Sequence, residues 1–220
     1  MALAQRVRSV RWGGLGEERR RSPPGRLSRD VDRATATRLL VSRLTHEVVV
    51  SNLGQATLDL QRLGDRPLNC YTFGSMGQCS SIGLGIALAR PDVRVICLDG
   101  DGSLLMNLGS LCTIATLQPR NFALVIWDNE VHMTTGGQPT ATAHRSSFAQ
   151  MARGAGIEKV LEPREEADLG RAYDRLLAED GPFVVPVKVS RGRAEGRLDR
   201  DVVGYARRFR QALAAVPGVR

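Results

Sequence analysis

The segment Val93-Arg94-Val95-Ile96-Cys97-Leu98-Asp99-Gly100-Asp101-Gly102-Ser103 decides the fold class. Its first half, 93–98, is apolar without strict in–out alternation, as expected of a strand buried on both faces. Its second half turns abruptly to acids and glycines. Residues 104–117 then show helical spacing. A second apolar run, 121–127 (Phe122, Leu124, Val125, Ile126), ends in Asp128-Asn129-Glu130-Val131. Strand, helix, strand with polar residues at both strand ends is the signature of a parallel unit.

The same alternation extends in both directions. Upstream, 31–45 reads as a helix and 46–51 as a short buried strand around Val48-Val49-Val50. Residues 53–63 are helical on Leu53, Ala56, Leu60 and Leu63, 68–71 suits a strand, and 78–90 a tightly packed helix of small residues. Downstream, a Gly/Thr-rich loop fills 129–145. A helix follows over 146–154, capped by Ser146 or Ser147, then a strand over 157–161. An amphipathic helix over 164–178, a strand over 183–189 and a closing helix over 199–215 complete the pattern. No repeat is visible. The expected fold is α/β, a three-layer arrangement with a mostly parallel sheet and helices on both faces, in one folded unit over 31–190.

The chain has 220 residues, 42% of them hydrophobic, which excludes disorder throughout. Its net charge of +8 lies at the ends. Residues 1–30 hold eight arginines against three acids, and residues 190–220 hold the same, so 31–189 is slightly acidic. A near-neutral folded region argues against nucleic-acid binding, which wants a basic face on the domain. Residues 1–30, with Gly13-Gly14, Pro23-Pro24 and Arg19-Arg20-Arg21, read as a flexible Arg-rich extension. Residues 191–220 read as a basic C-terminal helix and tail. No apolar run reaches the roughly 18–20 residues that cross a bilayer, and no apolar stretch follows the basic start, which speaks against a secretory signal. Cys70, Cys79, Cys97 and Cys112 form no C-x-x-C pair, which argues against zinc and iron–sulfur sites. Three of them read as buried thiols, as expected in a reducing cytoplasm.

Ligands of open α/β sheets bind at the carboxyl ends of the strands. Gly100 and Gly102 let backbone approach a ligand closely. The helix that follows aims free N–H groups at the same spot, which suits a phosphate. Asp101 alone would repel that phosphate, and a divalent cation between them resolves the conflict. Mg2+ takes about six oxygen ligands, typically one or two carboxylates with phosphate and water. Asn129 offers a second protein oxygen and the Val131 carbonyl a third. A lone Gly-Asp-Gly is an ordinary turn; two such loops on one sheet edge carry more weight.

Gly100-Asp101-Gly102, then 25 residues, then Asp128-Asn129 resembles the motif of the thiamine-diphosphate-binding PP domain. That family usually carries Asn-Asn in the second element, so Asp128 is a departure. The resemblance implies Asp101, Asn129 and the backbone oxygen of Val131 as Mg2+ ligands, with Gly100, Gly102 and Ser103 at the diphosphate. A second block, Gly74-Ser75-Met76-Gly77, matches the family's decarboxylases and carboligases. There a glycine carbonyl (Gly74) accepts from the aminopyrimidine, and an apolar residue (Met76) wedges the cofactor into a V shape. The alternative for Met76 is core packing. A third block, Glu130 to Thr140 with Gly136-Gly137-Gln138-Pro139-Thr140, resembles phosphonopyruvate decarboxylases. Ser51-Asn52-Leu53-Gly54 and the Gly-Ser-Met-Gly block resemble sulfopyruvate decarboxylase beta subunits. The likeness spans about 46–190 and leaves out both ends.

The implied chemistry is decarboxylation of a 2-oxo acid, phosphonopyruvate- or sulfopyruvate-like, through a thiazolium-bound intermediate. His132 is the candidate proton donor or acceptor, with a structural hydrogen-bonding role as its alternative. Thr134, Thr135, Gln138 and Thr140 either bind the substrate's anionic tail or fix the loop. The family's activating glutamate lies on a separate Pyr domain, for which this chain has no room. The resemblance therefore implies a Pyr-domain subunit as partner, in a heterodimer of dimers. A carboligase using the same cofactor stays open. A 2-oxo acid:ferredoxin oxidoreductase subunit would want clustered cysteines. A non-catalytic scaffold is opposed by the presence of Asp101 and Asn129. A nicotinamide-binding protein is opposed by Gly83-Leu84-Gly85, which lacks its third glycine.

Overall fold

The computed structural model describes residues 31–217; the Arg-rich extension expected over 1–30 lies outside them. Six strands form one sheet: β1 Val48–Ser51, β2 Asn69–Tyr71, β3 Val95–Gly100, β4 Phe122–Asp128, β5 Lys159–Val160 and β6 Phe183–Lys188. Their order is β2-β1-β3-β4-β6-β5, and every pairing between them is parallel. β3 and β4 are in register from Val95↔Phe122 to Gly100↔Trp127, so Gly100 and Asp128 end on the same edge.

Eight helices flank the sheet among the described residues: α1 Arg33–Val41, α2 Gln55–Gly64, α3 Cys79–Ala89, α4 Asp101–Leu105, α5 Gly109–Leu117, α6 Phe148–Ala155, α7 Glu166–Ala178 and α8 Val202–Ala215. Strand side chains alternate between two buried clusters, which is why both faces had to be apolar. Val48, Val50, Val95, Cys97, Leu124 and Ile126 join α3, α5 and α6 on one face. Val49, Ile96, Leu98, Val125 and Val185 join α1, α2 and α7 on the other. This is the expected three-layer α/β fold. None of the described helices is long and apolar enough to cross a membrane.

α8 lies across the sheet edge at β2. Tyr205 meets the Tyr71 ring edge-on at 4.9 Å, Arg208 pairs with Asp65 through bonds of 2.6 and 2.7 Å, and Phe209 and Leu213 reach the first cluster. A covered edge strand is closed to pairing with another chain.

Two local expectations change. The helix expected over 104–117 is two helices, separated at Met106–Leu108. Asn107 explains the break: its amide donates to the Gly77 carbonyl at 2.9 Å and to Ser81 at 3.1 Å, which pulls the chain toward the start of α3. Of the cysteines, Cys79 and Cys97 are buried, Cys70 is half-buried and Cys112 is exposed.

Candidate active site

β1 is followed by a step to β2 on one side and by β3 on the other. The carboxyl ends of β1 and β3 therefore diverge at a topological switch point, where open α/β sheets bind ligands. An open cleft of about 650 Å³ lies there. It is lined by the end of β1 (Asn52, Leu53, Gln55), the end of β3 (Gly100 to Ser103) and the end of β4 (Trp127, Asn129, Val131 to Thr135).

Most of the expected site residues meet in this cleft: Met76, Gly100, Asp101, Gly102, Ser103, Asn129, Val131 and His132. Gly74 and Ser75 do not line it. They lie in the turn before α3, with Gly74 at φ +84°, a conformation that favours glycine. Two bonds tie this turn to the cleft. The Gly77 N–H donates to the Ser103 hydroxyl at 2.9 Å, and Asn107 holds the Gly77 carbonyl. Met76 is half-buried rather than packed in the core, which favours a role at the cleft wall. Met76→Ala is expected to cut turnover by about tenfold through loss of orientation, while the melting temperature moves by no more than about 3 °C. A variant that simply unfolds would return Met76 to core packing.

Asp101 is buried, 3% exposed, at the first turn of α4. One carboxylate oxygen accepts from the Thr140 hydroxyl at 2.6 Å. Burial pushes its carboxyl upward, the Thr140 bond opposes that, and the Asp128 charge adds to it. Asp99, two residues earlier in β3, is pushed up to about 6, again by burial. Asn129 presents an amide oxygen that accepts from the Val131 N–H at 3.1 Å, an Asx-type turn that brings residue 131 back toward the cleft. Glu130 between them adopts φ +64°.

The loop expected over 129–145 is ordered by its own bonds. Thr140 N–H reaches the Glu130 carbonyl at 3.0 Å, and His132 N–H the Gln138 carbonyl at 2.8 Å. His132 packs its ring on Gly102, where an added Cβ would stand 2.4 Å from Nδ1. Thr140 serves Asp101 and so fixes the loop. Thr134 and Thr135 line the cleft, whereas Gln138 folds over Gly136.

Sequence reasoning left three features out. Arg33 and Gln55 form one cleft wall: Arg33 pairs with buried Asp59 at 2.6 Å and donates to the Gly192 carbonyl at 3.0 Å, while Gln55 accepts from the Ala194 N–H at 2.6 Å. Burial raises the Asp59 carboxyl despite Arg33. Asn52 closes over Gly100, its amide nitrogen 3.3 Å from where a Cβ there would sit. Lys188 bonds both acids of the Asp128-Asn129-Glu130 turn. Polar residues after the Val48-Val49-Val50 run were a signal for the Asn52 wall. Nothing local announced Arg33 or Lys188.

The donor set fits a diphosphate carried on a hard divalent cation. Asp101, Asn129 and Val131 line one wall and offer oxygens suited to a hard cation, the Val131 carbonyl also accepting from the Met133 N–H at 2.9 Å. α2 and α4 both start at the cleft with no side-chain cap on their first N–H groups. Two buried polar atoms of the lining, Asn52 Oδ1 and Trp127 Nε1, have no hydrogen-bond partner in the protein. Among the described residues no three His, Cys, Asp or Glu side chains gather to hold a metal, so a cation here would draw its remaining ligands from phosphate and water.

Residues 52–187 match the family model of the thiamine pyrophosphate enzyme C-terminal TPP-binding domain. The chain belongs to this family. It is 47% identical over 143 residues to the sulfopyruvate decarboxylase beta subunit of Methanocaldococcus jannaschii, covering 64% of this chain and 74% of that one. It is 39% identical over 180 residues to the beta subunit of Methanothermobacter thermautotrophicus, covering 81% and 94%. Against the phosphonopyruvate decarboxylase of Streptomyces viridochromogenes it is 36% identical over 206 residues, 92% of this chain but 51% of that one. The chain thus spans about half the length of that relative. Among solved structures, a thiamin diphosphate-dependent enzyme from Mycobacterium smegmatis has the same fold, with a TM-score of 0.64 at 20% identity over 74% of this chain and 32% of that one.

Proposed function

We propose that this protein is the beta-type, PP-domain subunit of a split thiamine-diphosphate- and Mg2+-dependent decarboxylase acting on a small anionic 2-oxo acid. The observation that carries the reading is the cleft at the switch point between β1 and β3, where an acid, an amide, a backbone carbonyl and two helix starts converge. Family membership and near full-length similarity to beta subunits support it.

In this reading Asp101, Asn129 and the Val131 carbonyl hold Mg2+. Gly100, Gly102 and Ser103 form the turn against the diphosphate, the glycines letting backbone approach it closely, while the Gly100 N–H is held by the Asp99 carboxylate at 2.9 Å. Met76, on the cleft wall, supports the ring system, and the Gly74 carbonyl, in the turn that enters the cleft at Met76, orients the aminopyrimidine. When bound, thiamine diphosphate supplies the electron sink for the charge left as CO2 departs. Asn52 and Trp127 shield the reacting end from water. His132, beside Gly102, holds or moves a proton at its imidazole nitrogen. General acid–base groups contribute at least about a hundredfold, so His132→Ala is expected to lower kcat by about that factor with cofactor still bound; full activity would retire it from catalysis.

A Pyr-domain subunit supplying the activating glutamate completes the site, in a heterodimer of dimers located in the cytoplasm. Native mass spectrometry of the complex captured through a tag on this chain tests the assembly. The expected result is a partner of similar or smaller size with thiamine diphosphate and Mg2+ bound. A homo-oligomer without cofactor would overturn the reading in favour of a non-catalytic subunit.

A further inference from the structure

We propose that Lys188 is a positioning residue for the cation-binding turn, gripping it from both sides of Asn129. This rests on the reading of the cleft as a site for thiamine diphosphate and Mg2+.

Lys188 is the last residue of β6, paired in register with Asp128 at the end of β4. Its ammonium lies 2.7 Å from Asp128 Oδ2 and 2.8 Å from Glu130 Oε1, with the Thr142 carbonyl at 3.4 Å. Both acids are buried as residues, 4% and 8% exposed. Arg191 reaches the other Glu130 oxygen at 3.5 Å. One side chain from the neighbouring strand thus holds the residues before and after Asn129. The intervening backbone is bent by the positive φ of Glu130, which a non-glycine residue adopts only when its surroundings hold it.

The grip extends to the other half of the site. Asp128 Oδ1 accepts from the Thr142 hydroxyl at 2.7 Å and from the Glu130 N–H at 3.2 Å. The Thr142 and Thr140 hydroxyls are 2.9 Å apart, and Thr140 donates to Asp101. Lys188, Asp128, Thr142, Thr140 and Asp101 form one row of polar contacts, in which Thr142 gives its proton to Asp128, Thr140 gives its proton to Asp101, and the two hydroxyls touch. It fixes the Asp101 carboxylate relative to Asn129 across 28 positions of sequence.

Removing only the lysine takes the cation from the buried Asp128 carboxylate, while Glu130 keeps Arg191; the uncompensated charge on Asp128 is one that the turn can relieve only by moving. Replacing Asp128 by its neutral isostere at the same time removes that charge. It keeps an oxygen for Thr142 and the Glu130 N–H, and Glu130 retains Arg191. The effect of Lys188 should therefore depend on Asp128.

The test measures the thiamine diphosphate dissociation constant calorimetrically at saturating Mg2+, without substrate, on the complex with its partner subunit. Partners of metal ligands typically cost about 10–100-fold when removed. Lys188→Met is expected to weaken cofactor binding at least about tenfold. Lys188→Arg should largely preserve binding, and Asp128→Asn/Lys188→Met should recover it to within about threefold of wild type. Unchanged affinity in Lys188→Met, with wild type binding normally, overturns the inference alone. So does a lower melting temperature without a change in affinity, which marks a merely structural lysine. If Lys188→Met does not fold, the double variant decides: near-wild-type affinity supports the grip, and weak binding overturns it. A wild-type complex that takes up no cofactor overturns the functional reading and this inference together.

Discussion

Asp101→Ala is expected to leave a folded protein that no longer takes up thiamine diphosphate in a Mg2+-dependent manner. Its carboxylate is the one acidic side chain on the wall formed by the ends of β3 and β4 that faces the cleft. A magnesium site built on one or two protein carboxylates has little to replace it. Affinity should fall by more than about a hundredfold, beyond the range seen when only a ligand's partner is removed. Stability should respond in the opposite sense or hardly at all. Burial raises the Asp101 carboxyl above its ordinary range, so the folded state binds that proton more tightly than the unfolded chain. Without cation, this group's contribution is fully present at low pH and is lost as pH rises through the raised value. Alanine removes that loss, and Thr140 keeps Thr142 as a partner. Calorimetric titration across a Mg2+ series, beside thermal melts at pH 4 to 8, separates the two effects. Wild-type Mg2+ dependence in the variant would move the metal away from Asp101.

Gly83→Ala has the largest expected effect on folding. Gly83 lies in α3 against β1, β3 and β4. A Cβ there would stand 2.0 Å from Cys97 Sγ, 3.4 Å from the Phe122 ring and 3.6 Å from a Val50 methyl. All three neighbours are buried. Alanine gains about 1 kcal/mol in helix propensity over glycine. Overpacking a close-packed core costs about 1–3 kcal/mol and sometimes more. At 2.0 Å the clash is at the severe end, because either Cys97 leaves its place or α3 lifts off the sheet. The net loss is expected to be about 2 kcal/mol or more, a melting temperature lower by at least about 5 °C. Cys97→Ala in the same chain removes the obstructing sulfur, so the double variant should melt close to Cys97→Ala alone. If the two substitutions simply add, the contact with Cys97 is not the cause. The glycine of Gly83-Leu84-Gly85 is thus explained by helix–sheet packing, with no need for a nucleotide.

How far each feature was legible follows from the range of the interactions behind it. Buried strands announce themselves because every side chain of Val95 to Leu98 or Phe122 to Trp127 must be apolar when helices cover both faces. Glycine and acid at a strand end are equally local signals, so Asp101, Gly102 and Asn129 could be named from the sequence. The break at Met106–Leu108 was hidden because the apolar spacing continues through it; the cause is a bond from Asn107 to a residue 30 positions away. Gly74 and Ser75, expected among the cofactor contacts, are outside the lining of the cleft, in the turn whose Gly77 N–H is bonded to the Ser103 hydroxyl.

The sequence by itself determined the α/β layering, the strand ends that carry chemistry and the spacing of the two polar turns, because each depends on residues within one turn or one strand of one another. Only the tertiary structure decided what holds those turns: Asn52 against Gly100, Arg33 on the opposite wall, and Lys188 reaching from β6 to both sides of Asn129. The reason is geometric. Parallel strands that neighbour one another in the sheet are separated in sequence by whole helices. The groups that compensate a buried charge therefore come from sequence-distant segments, and no local pattern records which of the two lysines or the many arginines will arrive.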